Sequence, residues 1–222
     1  MCIRDREKRR VLCLDCDTAL RNLDLALGLS DWALMNFSDV AHQRCSLSDA
    51  VVEHPNIPGL FLLTAPVRSH ARSVTETQMA DLLAEVRKRF DYCLLDAPAG
   101  LGEGFRLSTC AADRCIVVTN PDASSLRDAQ RTVMELNRFP AGALHLVVNR
   151  VRLKLLRQLH ATIDDAIDKA GLPLLGVVPE DDALPVCLDR GVPVALADRS
   201  TAAAAYYNIC LLYTSPSPRD TR

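Results

Sequence analysis

The stretch "VLCLDCDTALRNLDLALG", residues 11–28, begins with an apolar run. Asp15 follows this run directly, and a second acid, Asp17, comes two residues later. The run Val11–Leu14 shows no alternation of polar and apolar residues, which is typical of a strand buried on both faces of a parallel sheet. Five similar runs follow along the chain, each bounded by Asp, Asn, Gly or Pro: Leu60–Leu63, Tyr92–Leu95, Cys115–Thr119, Leu144–Val148 and Leu174–Val178. The sequence therefore predicts six strands.

Stretches with helical periodicity separate these runs. Residues 75–90 carry an apolar stripe behind a capping box of Thr75 and Gln78. Residues 123–138 and 155–170 carry two more stripes, and Gly171 would cap the second. Alternating strands and helices predict an α/β fold with an open, doubly wound, mostly parallel sheet and helices on both faces.

Polar residues follow the strands where they end. Asp15 and Asp17 follow the first run, "DAPAG" begins at Asp96, Asn149 and Arg150 follow Val148, and Pro179 and Glu180 follow Val178. Carboxyl ends of parallel strands share one edge of a sheet, where ligands bind. Loops require Asp, Asn, Gly and Pro in any case, but several such endings together favour a shared ligand site.

Carboxylates without neighbouring His or Cys ligands favour Mg²⁺, which takes oxygen ligands and is often held on substrate phosphates. Asp96 suits a metal ligand acting through water, and Asp17 suits a residue that orients attacking water. The phosphate-binding pattern GxxxxGK[ST] does not occur in the 222 residues.

The segment Cys13–Cys16 spells CxxC, which raises metal binding and redox chemistry as alternatives. On a strand, residues three apart point to opposite faces, so packing cysteines are favoured. The formal net charge of −2 and the lack of a polybasic run argue against nucleic acid as a partner.

Five motifs together resemble the MinD/ParA-type family of deviant Walker ATPases: "LDCDTALRNLDLALG", "FDYCLLDAPAG", "TNPDASSLRDAQR", "VVNRVR" and "GVVPED". The resemblance covers nearly all of 11–198 and implies a P-loop NTPase-like fold that uses ATP and Mg²⁺. It implies site roles as follows: Asp17 activates water with Asp15 as its partner, Asp96 is the Walker B aspartate, Pro98 and Gly100 belong to switch II, and Asn149, Arg150, Pro179 and Glu180 surround the adenine.

The resemblance also implies a cellular role in placing the division site. ATP would close a homodimer that associates reversibly with the inner face of the cell membrane from the cytoplasm. Division regulators of the MinC and MinE kind, or a topological-specificity protein, would be its partners. The helix near Ser124 and Ser125, with Arg127 and Asp128, matches the family surface for these contacts.

Both ends depart from the family. Residues 1–6 and 210–222 resemble a translated sequencing adapter, which leaves 7–209 as the expected ATPase domain. The family's P-loop would precede Val11, so truncation at the N-terminus is expected and the chain as written should bind ATP poorly and be inactive. The membrane-targeting helix at the family's C-terminus also has no counterpart here.

Alternative functions remain open at this point. Within the family, flagellar-placement and plasmid-partition ATPases are near alternatives, although a partition ATPase normally binds DNA. A phosphorylation-switched receiver-type binding module also places acids after its strands. The distance in sequence between Asp17 and Asp96, and Asn149 rather than a lysine after Val148, argue against it. A scaffold without catalysis is a further option.

Overall fold

The computed structural model describes residues 9–66, 73–140, 142–158, 162–197 and 200–214. The expected adapter-like segment 1–6 lies outside these residues, and of the expected tail only 210–214 are described, as the end of the last helix. Within this part of the chain, every helix falls short of the length and apolar character needed to cross a bilayer.

All six predicted strands are confirmed, and a short seventh strand was not predicted. The strands are β1 Val11–Asp15, β2 Val52–Glu53, β3 Leu60–Leu63, β4 Tyr92–Asp96, β5 Cys115–Thr119, β6 Leu144–Val151 and β7 Leu174–Pro179. The unpredicted strand β2 has two residues, too few to show a period in sequence.

Helices connect most of these strands, as the α/β class requires. They are α1 Leu23–Ala26, α2 Phe37–Ala41, α3 Leu47–Ala50, α4 Glu76–Arg87, α5 Glu103–Thr109, α6 Ala123–Glu135, α7 Leu153–Gln158, α8 Ile163–Ala170, α9 Ala183–Asp189 and α10 Thr201–Thr214. The predicted capping box of Thr75 and Gln78 is confirmed at the start of α4, and Gly171 caps α8 in the left-handed conformation.

One predicted helix is wrong in its continuity. The stripe over 155–170 predicted a single helix, whereas the structure has α7 and α8, and residues 159–161 lie outside the described part. Thr162 has an extended backbone, and its side chain forms a capping box with Asp165. Because this box satisfies amides that a continuing helix would pair internally, it starts a new helix at Ile163.

The chain divides into two compact units, each with its own sheet. The first unit contains the described residues up to 112 together with 187–193, and the second contains 113–186 and those from 194 onward. The strand order is β2-β3-β1-β4 in the first sheet and β5-β6-β7 in the second. The predicted α/β class with mostly parallel strands is confirmed, since every pair except β2 with β3 is parallel.

The first unit is built around β1, the central strand in its pairing with β3 and β4. Leu12 and Leu14 point into a core against which α4 packs the predicted stripe of Met79, Leu82, Leu83 and Val86. This burial of side chains from distant segments fixes β1 in register with both neighbours, with Val11 opposite Leu60 and Tyr92.

The second unit has a core between its sheet and α10. Val147, Leu175 and Val178 pack against Ala202 and Ile209 of that helix. The side chain of Asp181, just beyond β7, accepts hydrogen bonds from the amides of Ala183 and Ala202 and from the hydroxyls of Ser200 and Thr201. These bonds tie the start of α10 to the end of β7.

Candidate functional site

Asp15 ends β1 as a fully buried carboxylate, with no exposed surface. Its Oδ1 accepts the Asp17 amide at 2.8 Å, and its Oδ2 accepts the Leu23 amide at 3.4 Å. Burial raises the pKa of Asp15, against the opposing effect of these two amides. Both oxygens therefore face inward, and Asp15 shapes the loop that leads to α1.

Asp17 lies at the start of this loop and is half-buried. Its Oδ1 accepts hydrogen bonds from the amides of Ala19 at 2.9 Å and Leu20 at 3.1 Å. Its second oxygen, Oδ2, makes no hydrogen bond within the described residues. The side chain is thus held in one orientation and retains one oxygen that can accept a proton from outside the loop.

Asp96 ends β4 directly opposite Asp15, its register partner on the adjacent parallel strand. The Cys16 amide donates to the Asp96 carbonyl at 2.9 Å, which joins the two strand ends. The Asp96 side chain is exposed and makes no hydrogen bond within the part of the chain that the structure describes. Reduced hydration, together with the charges of Asp15 and Asp17, raises its pKa.

The segment after Asp96 runs through Pro98 and Gly100 to α5. A Cβ on Gly104, in the first turn of α5, would lie 2.6 Å from the Cys16 carbonyl oxygen and 2.6 Å from Pro98 Cγ. Only a residue without a side chain permits this approach. Pro98, one of the predicted site residues, therefore lies beside Gly104, where α5 packs against the end of β1. Gly100, the other predicted residue of this segment, is exposed.

Sequence reasoning missed Gly104, and it also missed the ion pair of Arg21 with Asp24. Arg21 Nε donates to Asp24 Oδ2 at 2.9 Å, and the Asp24 side chain is almost fully buried. Arg21 has a φ of 44°, which is uncommon for a residue with a Cβ. Opposite charges three residues apart in "RNLD" were a usable signal for a local ion pair, although Arg21 lies in the loop before α1 and only Asp24 lies within the helix.

The remaining predicted residues lie in the second unit. Asn149 and Arg150 were predicted to follow β6, but β6 continues to Val151, and this prediction of the strand end is wrong. The register with β7 shifts between Val148 and Val151, and Arg150 has a φ of 53°. Asn149 and Arg150 therefore occupy an irregularity of the strand, which sequence periodicity does not show.

Glu180 pairs with two arginines at this irregularity. Arg150 Nη2 donates to Glu180 Oε1 at 3.1 Å, and Arg152 pairs with Oε2 of the same carboxylate. The Glu180 amide donates to the Val151 carbonyl, and Pro179 is the register partner of Val151. Asn149 Oδ1 is buried without a hydrogen-bond partner in the described residues, so it is available as an acceptor.

The CxxC cysteines take no part in this arrangement. Cys16 is buried in the first unit's core, whereas Cys13 lies on the opposite face of β1. Burial raises the pKa of the Cys13 thiol to about 11 and that of Cys16 well above its usual value. Both thiols are therefore protonated at neutral pH, which is unfavourable for redox chemistry or metal ligation.

The structure thus brings Asp15, Asp17, Asp96 and Pro98 together at the carboxyl end of the first sheet. Within the described residues, no three His, Cys, Asp or Glu side chains converge to hold a metal ion. A cation at this edge would take most of its ligands from water or phosphate, as Mg²⁺ commonly does.

Comparisons with known proteins place these features in a family. Residues 64–211 match the family model of the cellulose biosynthesis protein BcsQ. The septum site-determining protein MinD of Synechocystis is 33% identical over 204 residues, which is 90% of this chain and 76% of that protein.

Solved structures give the same result at the level of the fold. The MinC:MinD cell division protein complex of Aquifex aeolicus aligns with a TM-score of 0.83 at 28% identity, covering 95% of this chain and 86% of that one. The Pyrococcus horikoshii MinD complexed with Mg-ADP aligns with a TM-score of 0.81 at 25% identity, covering 96% and 87%. The chain belongs to the MinD/ParA-type family of P-loop ATPases, among the relatives of the septum site-determining protein MinD.

Proposed function

We propose that this chain acts in a MinD-like switch ATPase for division-site placement, in which hydrolysis of Mg-ATP is coupled to reversible membrane association. The observation that carries this proposal is the pairing of Asp15 and Asp96 at the ends of adjacent strands, with Asp17 held beside them. In phosphoryl transfer, a protein mainly positions water, metal and phosphates, and these three carboxylates supply the first two functions.

Asp96 suits the metal. Its carboxylate is exposed and makes no hydrogen bond within the described residues, and its pKa is raised first by reduced hydration and then by the charges of Asp15 and Asp17. A divalent cation relieves that repulsion, and an oxygen ligand is the type Mg²⁺ prefers. When bound, Mg²⁺ would neutralise charge on the phosphates; Asp96 would hold it directly or through water, and Asp15 would keep the adjacent strand end in place.

Asp17 suits the attacking water. Two amides hold Oδ1, so Oδ2 keeps a fixed direction and can accept a hydrogen bond from water. A carboxylate fixed in this way lowers the cost of orienting the nucleophile, since no reorganisation is needed during the reaction. We assign Asp17 the role of orienting water, and Asp15 a positioning role through the Asp17 amide.

The residues of the second unit suit a purine base. Asn149 Oδ1 is a buried acceptor without a partner among the described residues, and an adenine amino group is a donor that would satisfy it. Arg150 is fixed by Glu180, and its planar guanidinium can stack on an aromatic ring. We propose that Asn149, Arg150, Pro179 and Glu180 contact the adenine of ATP.

A fusion tests the catalytic part of this proposal. The N-terminal strand and P-loop of the Synechocystis MinD would be joined ahead of Val11, because the 222 residues contain no GxxxxGK[ST]. Magnesium-dependent ATP hydrolysis is expected for the fusion, and Asp17→Ala should lower kcat by about a hundredfold with little change in nucleotide affinity. Asp31→Ala, an exposed acid on the same segment, is the control and should leave kcat unchanged.

Unchanged hydrolysis in the Asp17→Ala fusion would refute the assigned role of Asp17. Magnesium-independent hydrolysis, or equal activity with Asp96→Asn, would refute the role of Asp96. The chain without the fused segment should bind ATP only weakly. Tight binding measured by calorimetry would show that the 222 residues contain a phosphate-binding site of another kind.

We also propose that ATP closes a homodimer that binds MinC- and MinE-like regulators and the inner face of the cell membrane. The Aquifex relative is known in complex with MinC, which supports regulator binding. Two weak anchors in one dimer bind a surface far better than one, so dimerisation can switch localisation. Light scattering of the fusion with ATP or ADP tests the dimer, and a monomer that is indifferent to nucleotide would refute it. Vesicle sedimentation of a second fusion, which also carries the C-terminal helix of the Synechocystis MinD, tests the membrane switch, and equal sedimentation with ATP and ADP would refute that part.

A further inference from the structure

Two glycines far apart in sequence touch through their backbones in the first unit. Gly28 follows α1, and Gly191 follows α9 within the segment 187–193, here called the strap. A Cβ on Gly28 would lie 2.3 Å from the Gly191 carbonyl oxygen, and one on Gly191 would lie 3.0 Å from the Gly28 Cα. Gly28 also has a φ of +67°, so the position excludes a side chain for two separate reasons.

Hydrogen bonds connect this contact to Asp17. The Leu29 amide donates to the Asp24 carbonyl at 2.8 Å, and the Asp24 side chain accepts from Arg21 Nε at 2.9 Å. The Arg21 amide donates to the Asp17 carbonyl at 3.1 Å. A short series of hydrogen bonds therefore runs from Leu29, the residue after Gly28, back to the candidate water-orienting residue.

The strap is itself a closed structure. The Gly191 amide donates to the Leu188 carbonyl at 3.1 Å, and the Val192 amide donates to the Cys187 carbonyl at 2.9 Å. The Cys187 side chain is buried. The strap is therefore held by its own hydrogen bonds and by a buried side chain, so its backbone is fixed where Gly28 contacts it.

We propose that Gly28 and Gly191 are positioning residues for Asp17. Their contact fixes the far end of the segment 17–28, and Asp15 fixes the near end through the amides of Asp17 and Leu23. Held at both ends, the segment keeps the amides of Ala19 and Leu20 on Asp17 Oδ1. The catalytic consequence rests on the proposed role of Asp17, whereas the placement of its carboxylate can be measured without any reaction.

Amide hydrogen exchange of the whole chain, followed by NMR, tests the placement. In Gly28→Ala, the amides of Ala19, Leu20 and Leu23 are expected to lose about tenfold in protection, beyond any change at the β1 amides. Gly191→Ala should act in the same direction. Gly171→Ala is the matched control, because Gly171 has the same φ of +67° and nothing within 4 Å of its added Cβ.

If the β1 amides and the amides of Ala19, Leu20 and Leu23 lose protection equally, the glycines only stabilise the whole unit, and the proposal is overturned. The unsubstituted chain decides the question if neither variant folds. The Leu20 and Val192 amides of that chain should then exchange through the same local unfolding event, with equal free energies of opening and equal dependence on urea. Different free energies of opening for the two amides would overturn the proposal. If the exchange result stands while Asp17→Ala leaves hydrolysis unchanged, the placement is correct and the proposed function fails.

Discussion

Asp15 and Asp96 are register partners on adjacent parallel strands, yet the first is fully buried and the second is exposed. The difference follows from what lies beyond each strand end. The chain after Asp15 gives its carboxylate two amide donors, whereas no donor within the described residues reaches the carboxylate of Asp96. Two acids at equivalent positions therefore differ in their surroundings: Asp15 organises the loop after β1, whereas the Asp96 carboxylate is exposed and carries the metal role only in our proposal.

Asp15→Asn should destabilise the chain by about 1–3 kcal/mol, because an amide nitrogen would replace one of two acceptors that face buried N–H donors. Urea denaturation at pH 7 measures the change. Asp31→Asn, at an exposed position, serves as the control and should shift the free energy of unfolding by less than about 0.5 kcal/mol. Equal shifts for the two variants would contradict the buried role of Asp15.

Asp96→Asn should stabilise the metal-free chain at pH 7. The pKa of Asp96 is raised in the folded state, so the unfolded state ionises first as the pH rises above about 3.8, and folding stability falls over that range. The uncharged Asn avoids this loss of stability, and the free energy of unfolding at pH 7 should rise by less than about 1 kcal/mol because the group is exposed. Urea titrations at pH 3.5 and pH 7 should show a flatter pH dependence, and a variant less stable at pH 7 would contradict the prediction.

Gly104→Ala should destabilise the chain by about 1–3 kcal/mol, since the added methyl would meet the Cys16 carbonyl and the Pro98 ring at 2.6 Å. The rigid backbone oxygen cannot move without displacing the end of β1. Gly102→Ala is a close control, because its Cβ would have nothing within 4 Å. Thermal unfolding of the two variants compares them directly, and similar midpoints would show that α5 does not rest on β1 as described.

Asp181→Asn should lower the midpoint of thermal unfolding at pH 7 more than Asp182→Asn at the neighbouring exposed position. Hydrogen bonds from the amides of Ala202 and Ala183, followed by side-chain hydroxyls, hold the pKa of Asp181 well below its usual range. The stability it contributes is therefore present above about pH 4 and is lost as the pH falls towards the folded-state pKa. The difference between the two variants should shrink in acid, and a difference independent of pH would contradict this account.

Local patterns in the sequence determined a large part of this protein. Unalternating apolar runs bounded by Asp, Asn, Gly or Pro predicted six strands, and Thr75 with Gln78 marked the start of α4, because burial on two faces and helix capping act on neighbouring residues. The motifs around Asp17 and Asp96 indicated the family. Tertiary structure alone decided that Asp15 is buried, that β6 continues through Asn149 to Val151, and that Gly104 and Gly28 touch distant backbones. These features depend on which segments meet after folding, and a contact between distant residues leaves no period or spacing in the chain.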